Sequence, residues 1–196
     1  MRLITLILAA TLFAAQLATP ALAQTDPVAL AQTQRYAGQL DQAEATLRDV
    51  LKTDPNHYLA NYNMGLVYAA RAQRLMATER TPLLLTSASW LERARALRNN
   101  PKLNIQEYTI YNTLGYVYLQ LREITKAEAI LNEGKRYEAQ LSETSRVKLN
   151  NNFGYLASLK GDRAAASVYF NKSARAGDPI AQQNAIRLKK TEQLRK

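Results

Sequence analysis

Asn61-Tyr62-Asn63-Met64-Gly65-Leu66-Val67-Tyr68, Tyr111-Asn112-Thr113-Leu114-Gly115-Tyr116-Val117-Tyr118 and Asn150-Asn151-Asn152-Phe153-Gly154-Tyr155-Leu156-Ala157 are three versions of one octet. Each puts a large apolar residue directly before glycine, with asparagine two to four places ahead. A weaker fourth copy sets Leu30-Ala31 in the same frame, and Ala31 precedes Gly65 by one period of about 34 residues. The later glycine spacings are 50 and 39, which a basic unit of 34 with two insertions accounts for. Glycine inside a helix costs about 1 kcal/mol relative to alanine, so its recurrence implies a neighbouring helix too close for a side chain. Ala43, Ala127 and Ala166 are the expected recesses on the second helices.

Outside the octets, apolar residues recur at helical period: Ala43, Leu47, Val50 and Leu51, then Ala127, Ile130, Leu131 and Gly134. No stretch alternates as a strand with hairpin turns, so the fold class is all-α. A period of about 34 residues carrying a helix-turn-helix pattern resembles the tetratricopeptide repeat (TPR). In the first unit Leu30, Ala31, Gly38, Leu40, Ala43, Leu47, Val50 and Pro55 fall on signature positions of that family. Tyr111, Leu114, Gly115, Tyr118, Ala127 and Leu131 do so in the third, and Phe153, Gly154, Gly161, Ala166, Phe170 and Ser173 in the fourth. The third departs where Arg122 replaces the turn glycine and Gly134 takes a place usually held by alanine. The resemblance covers about residues 25 to 178 and implies a right-handed α-solenoid. Its units fall at about 24–57, 58–107, 108–146 and 147–178, followed by a capping helix over 179–196.

The second unit is irregular. Between Tyr68 and Ser89 it exceeds the motif by about 12 residues, with about four more after Ala96-Leu97. Thr81-Pro82 reads as an N-cap and N1 proline, which predicts a first helix to about Thr78 and a second from Pro82. The product is an elongated hairpin over 69–97 whose tip carries Leu75, Met76, Leu83, Leu84 and Leu85. Farther on, Gly177-Asp178-Pro179 supplies a helix stop, an N-cap and an N1 proline in succession. The helix that follows is basic through Arg187, Lys189, Lys190, Arg195 and Lys196, and a stacked array needs such a solvated cap.

Met1-Arg2, an apolar run from Leu3 to Leu17, and Ala21-Leu22-Ala23 after Pro20 read as a secretory signal over residues 1–23. Cleavage after Ala23 would remove Arg2 and no acid, taking the net charge from +10 to +9. Export to the periplasm is the expected destination, with secretion as the alternative. It argues against nucleic acid as the partner of the excess charge; peripheral contact with an anionic envelope surface is a further reading. Cys 0 removes disulfides, thiol nucleophiles and thiolate metal sites, and His 1 removes most histidine-centred catalysis. His57 follows Asp54-Pro55-Asn56 in a predicted turn, and neither a phosphate loop, HExxH nor GxSxG occurs. Neither catalysis, a metal nor a cofactor is expected.

For function, the resemblance implies a concave groove lined by the first helix of each unit. The lining positions here are Tyr36; Tyr62, Asn63 and Leu66; Asn112, Thr113, Tyr116 and Gln120; Lys148, Asn151, Asn152 and Tyr155. An asparagine amide both donates and accepts, so a row of them suits an extended peptide backbone, and tyrosine adds a flat apolar face. The run Asn150-Asn151-Asn152 costs a helix roughly 2 kcal/mol against alanine, which suggests that its amides have work elsewhere. Asn63 and Lys148 occupy places where some members of the family hold a terminal carboxylate. Val28 and Thr109 supply no matching cations, so a general peptide groove is expected rather than a clamp. The sequence therefore predicts a protein-interaction scaffold that binds an extended segment of an envelope, secretion or pilus component. The alternative is an assembly subunit that works through the elongated hairpin, by self-association or by docking to a membrane complex.

Overall fold

The structure, a computed structural model, describes residues 26–102 and 107–193. The signal segment at 1–23 and the last three residues of the capping helix lie outside them. The described residues form nine α-helices and no strand: α1 Pro27–Tyr36, α2 Leu40–Thr53, α3 Tyr58–Gln73, α4 Ala77–Arg98, α5 Thr109–Gln120, α6 Ile124–Lys135, α7 Glu143–Leu159, α8 Arg163–Arg175 and α9 Pro179–Gln193. A single 3-10 turn, Glu138–Gln140, lies between α6 and α7. Successive pairs form antiparallel hairpins, and each first helix also packs on the neighbouring unit, giving an all-α repeat solenoid.

The helix starts are chemically marked. Asp26, Ser142 and Asp162 accept from the backbone N–H groups of Val28, Ser145 and Ala165 at 3.0, 3.2 and 2.9 Å, satisfying donors that a first turn leaves unpaired. Asp178 does the same for Ile180 and Ala181 at 2.8 and 3.2 Å, and Pro179 opens α9 as its sequence predicts. His57 caps α3: its Nδ1 accepts from the Ala60 N–H at 3.2 Å. This histidine is half-buried and structural rather than a bare loop residue.

Each octet glycine lies at a helix crossing. A Cβ built on Gly65 would stand 2.5 Å from Leu91 Cγ, one on Gly154 2.5 Å from Phe170 Cδ1, and one on Gly115 would run into Leu131. The residues that enter these notches are therefore large. This corrects the expectation that alanines receive them, since Ala127 and Ala166 lie four residues earlier, fully buried, one helical turn from Leu131 and Phe170. Unit 2 has Ser87 in that place, where its hydroxyl donates to the Gly65 carbonyl at 2.7 Å.

The same register locates the insertions. Ala31 and Ala43, Gly115 and Ala127, and Gly154 and Ala166 stand at one common spacing, whereas Gly65 and Ser87 stand ten places farther apart than that. Ten extra residues thus belong to the hairpin tip and six to the connection that follows. The tip itself differs from expectation. α3 ends at Gln73 and α4 begins at Ala77, so Thr81 is not a cap and Pro82 lies inside α4. The turn is held where it is by Arg80, whose Nε donates to the Ala72 and Leu75 carbonyls at 3.1 and 3.0 Å. Proline forfeits the bond to the Thr78 carbonyl, but both residues are exposed, so water is available to that oxygen. Of the tip residues, Leu84 is buried and Leu83 half-buried, while Leu75, Met76 and Leu85 are exposed.

Candidate functional site

The first helices of units 3 and 4, α5 and α7, line a cleft of about 830 Å³. Its lining also takes in the turn from Ala176 into Ile180, where α9 begins, and Gln73 at the end of α3. Gln73 belongs to the extra length of the elongated hairpin. One residue of that hairpin, read from sequence as a separate contact surface, therefore borders the groove. Tyr116 stands beside it, within reach of the Gln73 side chain and near Arg80. Burial raises the Tyr116 phenol above its ordinary value, so it is a neutral hydrogen-bonding group at physiological pH.

Six of the twelve residues predicted for the groove line this cleft: Asn112, Thr113, Tyr116, Lys148, Asn151 and Asn152. Gln120 and Tyr155 are half-buried on the same two helices outside it, and Leu66 is half-buried on α3. Tyr62 stacks on Tyr58 and shares a 3.0 Å hydrogen bond with Thr113 Oγ1, which ties α3 to α5. Tyr36 is exposed at the end of α1 with the Arg35 guanidinium over its ring, away from the cleft.

The asparagine row requires correction. Asn63, Asn112 and Asn152 are 1%, 6% and 6% exposed, so their amides do not form a free surface for a peptide. Asn63 Nδ2 donates to the Leu59 carbonyl in its own helix at 2.8 Å. Asn112 Nδ2 reaches across to the Ser145 carbonyl at 2.8 Å, and Asn152 Nδ2 returns to the Asn112 carbonyl at 3.0 Å. Asn151 Oδ1 accepts from Asn184 of α9 at 3.2 Å, while Asn150 bonds back to the Arg146 carbonyl at 2.9 Å. The costly asparagine run is therefore explained by stapling: it fastens α7 to α5 on one side and to α9 on the other. Each buried Nδ2 of Asn63, Asn112 and Asn152 thus has a carbonyl to donate to, while the Oδ1 atoms of Asn63 and Asn112 are buried without a partner.

What remains open to a ligand is a different set. Thr113, Tyr116 and Asn151 are half-buried, Lys148 is exposed, and Glu143, Thr144, Val147 and Ile180 join them. Sequence reasoning missed Gln73 and the α9 end of the cleft. The Gly177-Asp178-Pro179 signal marked a helix start there without showing that it would border the groove. Among the described residues no group of three or more His, Asp or Glu side chains could hold a metal ion, and no helix is long and apolar enough to cross a membrane.

Comparison with known proteins agrees with this architecture. A tetratricopeptide-repeat family model matches residues 28–57 and 108–140, which are units 1 and 3. A solved structure of a thermophilic TPR protein from Thermus thermophilus superposes with a TM-score of 0.62 at 20% sequence identity, over 85% of this chain and 81% of that one. No curated protein matches the sequence.

Proposed function

We propose, from the premise that this chain is a tetratricopeptide-repeat protein, that it is a non-catalytic scaffold whose α5–α7–α9 cleft holds an extended segment of a protein partner. Repeats of this family serve protein–protein interaction, and one observation supports assigning that role to this cleft. It is a concave space of about 830 Å³, within the usual range of ligand sites, lined by half-exposed polar side chains and framed by rigid helices. The helices are locked to one another by the asparagine staples, so the walls are preformed and little ordering is needed on binding. The signal-like segment at 1–23 supports a periplasmic setting and a partner in the envelope or a secretion or pilus assembly.

A photo-crosslinking residue tests the site directly. Placed at Asn151, it should trap a partner in an envelope fraction; at Val168, exposed on α8 and outside the cleft, it should not. Equal trapping at both positions, or none at Asn151, would discard the reading. Fractionation with N-terminal sequencing checks the destination: the exported product should begin at Gln24.

A second reading has its own observation, the exposed Leu75, Met76 and Leu85 of the hairpin. It predicts self-association or docking to a membrane complex through the tip. Replacing all three with serine should then convert an oligomer to a monomer by light scattering, with the cleft untouched.

A further inference from the structure

Charge is distributed unevenly along the array. Residues 163–193 carry Arg163, Lys172, Arg175, Arg187, Lys189 and Lys190 against Asp178 and Glu192. Residues 26–57 carry the reverse excess, Asp26, Asp41, Glu44, Asp49 and Asp54 against Arg35, Arg48 and Lys52. Among the described residues, Arg175, Arg187, Lys189 and Lys190 form no ion pair, and Lys172 has only a 3.8 Å contact with Glu138. Helix geometry gathers part of this charge with two aliphatic side chains. Ala157 of α7, Ala166 and Phe170 of α8, and Ala185 and Leu188 of α9 share one core. Two residues are about 200° of helix, so a side chain two places from a buried one points away from that core. Val168, Lys172 and Arg175 hold that offset from Phe170 and Ser173 on α8, and Ile186 and Lys190 hold it from Leu188 on α9. All five are exposed, Val168 and Ile186 each by 66%.

A hollow of about 600 Å³ lies on this face, lined by Val168, Asn171, Lys172, Arg175 and Ala176. Its two cations suit a phosphate, and its valine suits an apolar group attached to one. A second copy docking through the same face would set cations against cations. The acidic end of a second copy is no better, because its carboxylates are engaged. Asp41 pairs with Arg71, Glu44 with Arg48 and Arg71, and Asp49 with Lys52, while Asp26 and Asp54 accept backbone N–H groups. A rigid acidic protein needs a complementary patch of about 800 Å² and an aromatic or arginine anchor set in a pocket. Val168 and Ile186 are instead single aliphatics on different helices. A fluid bilayer conforms to such a face, and its anionic headgroups match the charge.

We propose that the outer face of α8 and α9 seats this protein on a membrane surface of anionic phospholipid. A lipid phosphate occupies the hollow between Lys172 and Arg175, Lys190 meets a neighbouring headgroup, and Val168 and Ile186 enter the headgroup layer. Ile180, which lines the cleft, stands six residues from Ile186, about 240° round α9, so seating by this face leaves the cleft open.

The test uses the chain from Gln24, which keeps every described helix and lacks the apolar run of residues 3–17 that would itself enter lipid. It should float with vesicles of phosphatidylcholine containing about one third phosphatidylglycerol, less so as salt rises, and not with pure phosphatidylcholine. A Lys172→Gln, Arg175→Gln, Lys190→Gln variant should partition about a hundredfold more weakly, at about fivefold per cation. Val168→Ser with Ile186→Ser should lose about tenfold, with melting temperatures of both variants unchanged. Since the chain has Cys 0, a single Ile186→Cys can carry a solvent-sensitive dye. Its emission should shift to the blue on the phosphatidylglycerol vesicles, and that of Tyr36→Cys, exposed on α1, should not. Equal flotation on both lipids, no flotation, or no shift at position 186 would overturn the proposal. Binding to polyglutamate as tight as to the vesicles, and undiminished by the two serine substitutions, would also overturn it and give the face to an acidic protein.

Discussion

The α3–α4 and α5–α6 hairpins make the same contact with very different amounts of chain. The first has helices of 16 and 22 residues, the second 12 and 12, yet each seats a leucine of its second helix on a glycine of its first. The crossing is the fixed point of the unit, and inserted residues are displaced to the tip and to the outgoing connection. Each insertion is then tied down by side chains absent from the regular hairpin. At the tip, Arg74 donates to the Gly38 carbonyl at 3.2 Å and Arg80 closes the turn. At the connection, Arg98 sits among three tyrosine rings, 4.4, 4.5 and 5.5 Å from the centroids of Tyr108, Tyr137 and Tyr111.

The most disruptive way to break this comparison is at the shared contact. Gly65→Val and Gly115→Val should each cost about 3 kcal/mol by overpacking, read from chemical denaturation. Equal losses would confirm that the longer hairpin leaves its crossing unchanged; a tolerant Gly65 would mean that the insertion had loosened it. Next in size is Arg98→Ala, which removes the cation from its tyrosine cage and should cost about 2 kcal/mol. Arg98→Lys should recover little of it, because only a planar guanidinium stacks on several rings at once.

Here the limits of sequence reading become physical. The crossing was legible because glycine in a helix is an expensive choice that recurred at one position. The family pattern matches units 1 and 3; it misses unit 2, whose Gly65 and Ser87 are set ten places too far apart, and also unit 4, whose Gly154 and Ala166 keep the common spacing. The hairpin turn was misplaced because Thr81-Pro82 has the local chemistry of a helix start, and the competing signal, Arg80 reaching back to α3, is a tertiary contact. The asparagines misled for a related reason. Amides suited to a peptide backbone are equally suited to the carbonyls of a neighbouring helix, and only the spacing of α5 and α7 decides which they meet. The pairing of Asn112 with Asn152, each ahead of its octet glycine, was the available hint.

The two asparagine roles can be separated by adjacent substitutions. Asn152→Ala removes the buried cross-helix bond to the Asn112 carbonyl, which keeps its own helical partner, and should cost about 1.5 kcal/mol. Asn151→Ala loses a half-exposed side-chain pair with Asn184 and should cost about 0.5 kcal/mol. If the larger loss falls on Asn151, the staple is weaker than its burial implies and the row regains a claim on the ligand.

The one effect that depends on pH probes the other end of the array, where unit 1 meets the long hairpin. Burial alone would raise the Glu44 carboxyl, but hydrogen bonds from Tyr68, Arg48 and Arg71 outweigh it and hold the group below its ordinary value of 4.5. A carboxylate depressed in the folded state contributes stability that is complete above its unfolded value and is lost as pH falls through the folded one. Glu44→Gln should therefore lower stability near neutral pH by about 1 kcal/mol, since the partners are partly solvated. The gap from wild type should narrow below pH 4.5 and close in stronger acid. A gap that persists there would assign Glu44's contribution to packing against Tyr68 rather than to charge. The α2–α3 junction would then resemble the apolar crossings instead of the charged ties that fasten the hairpin's extra length.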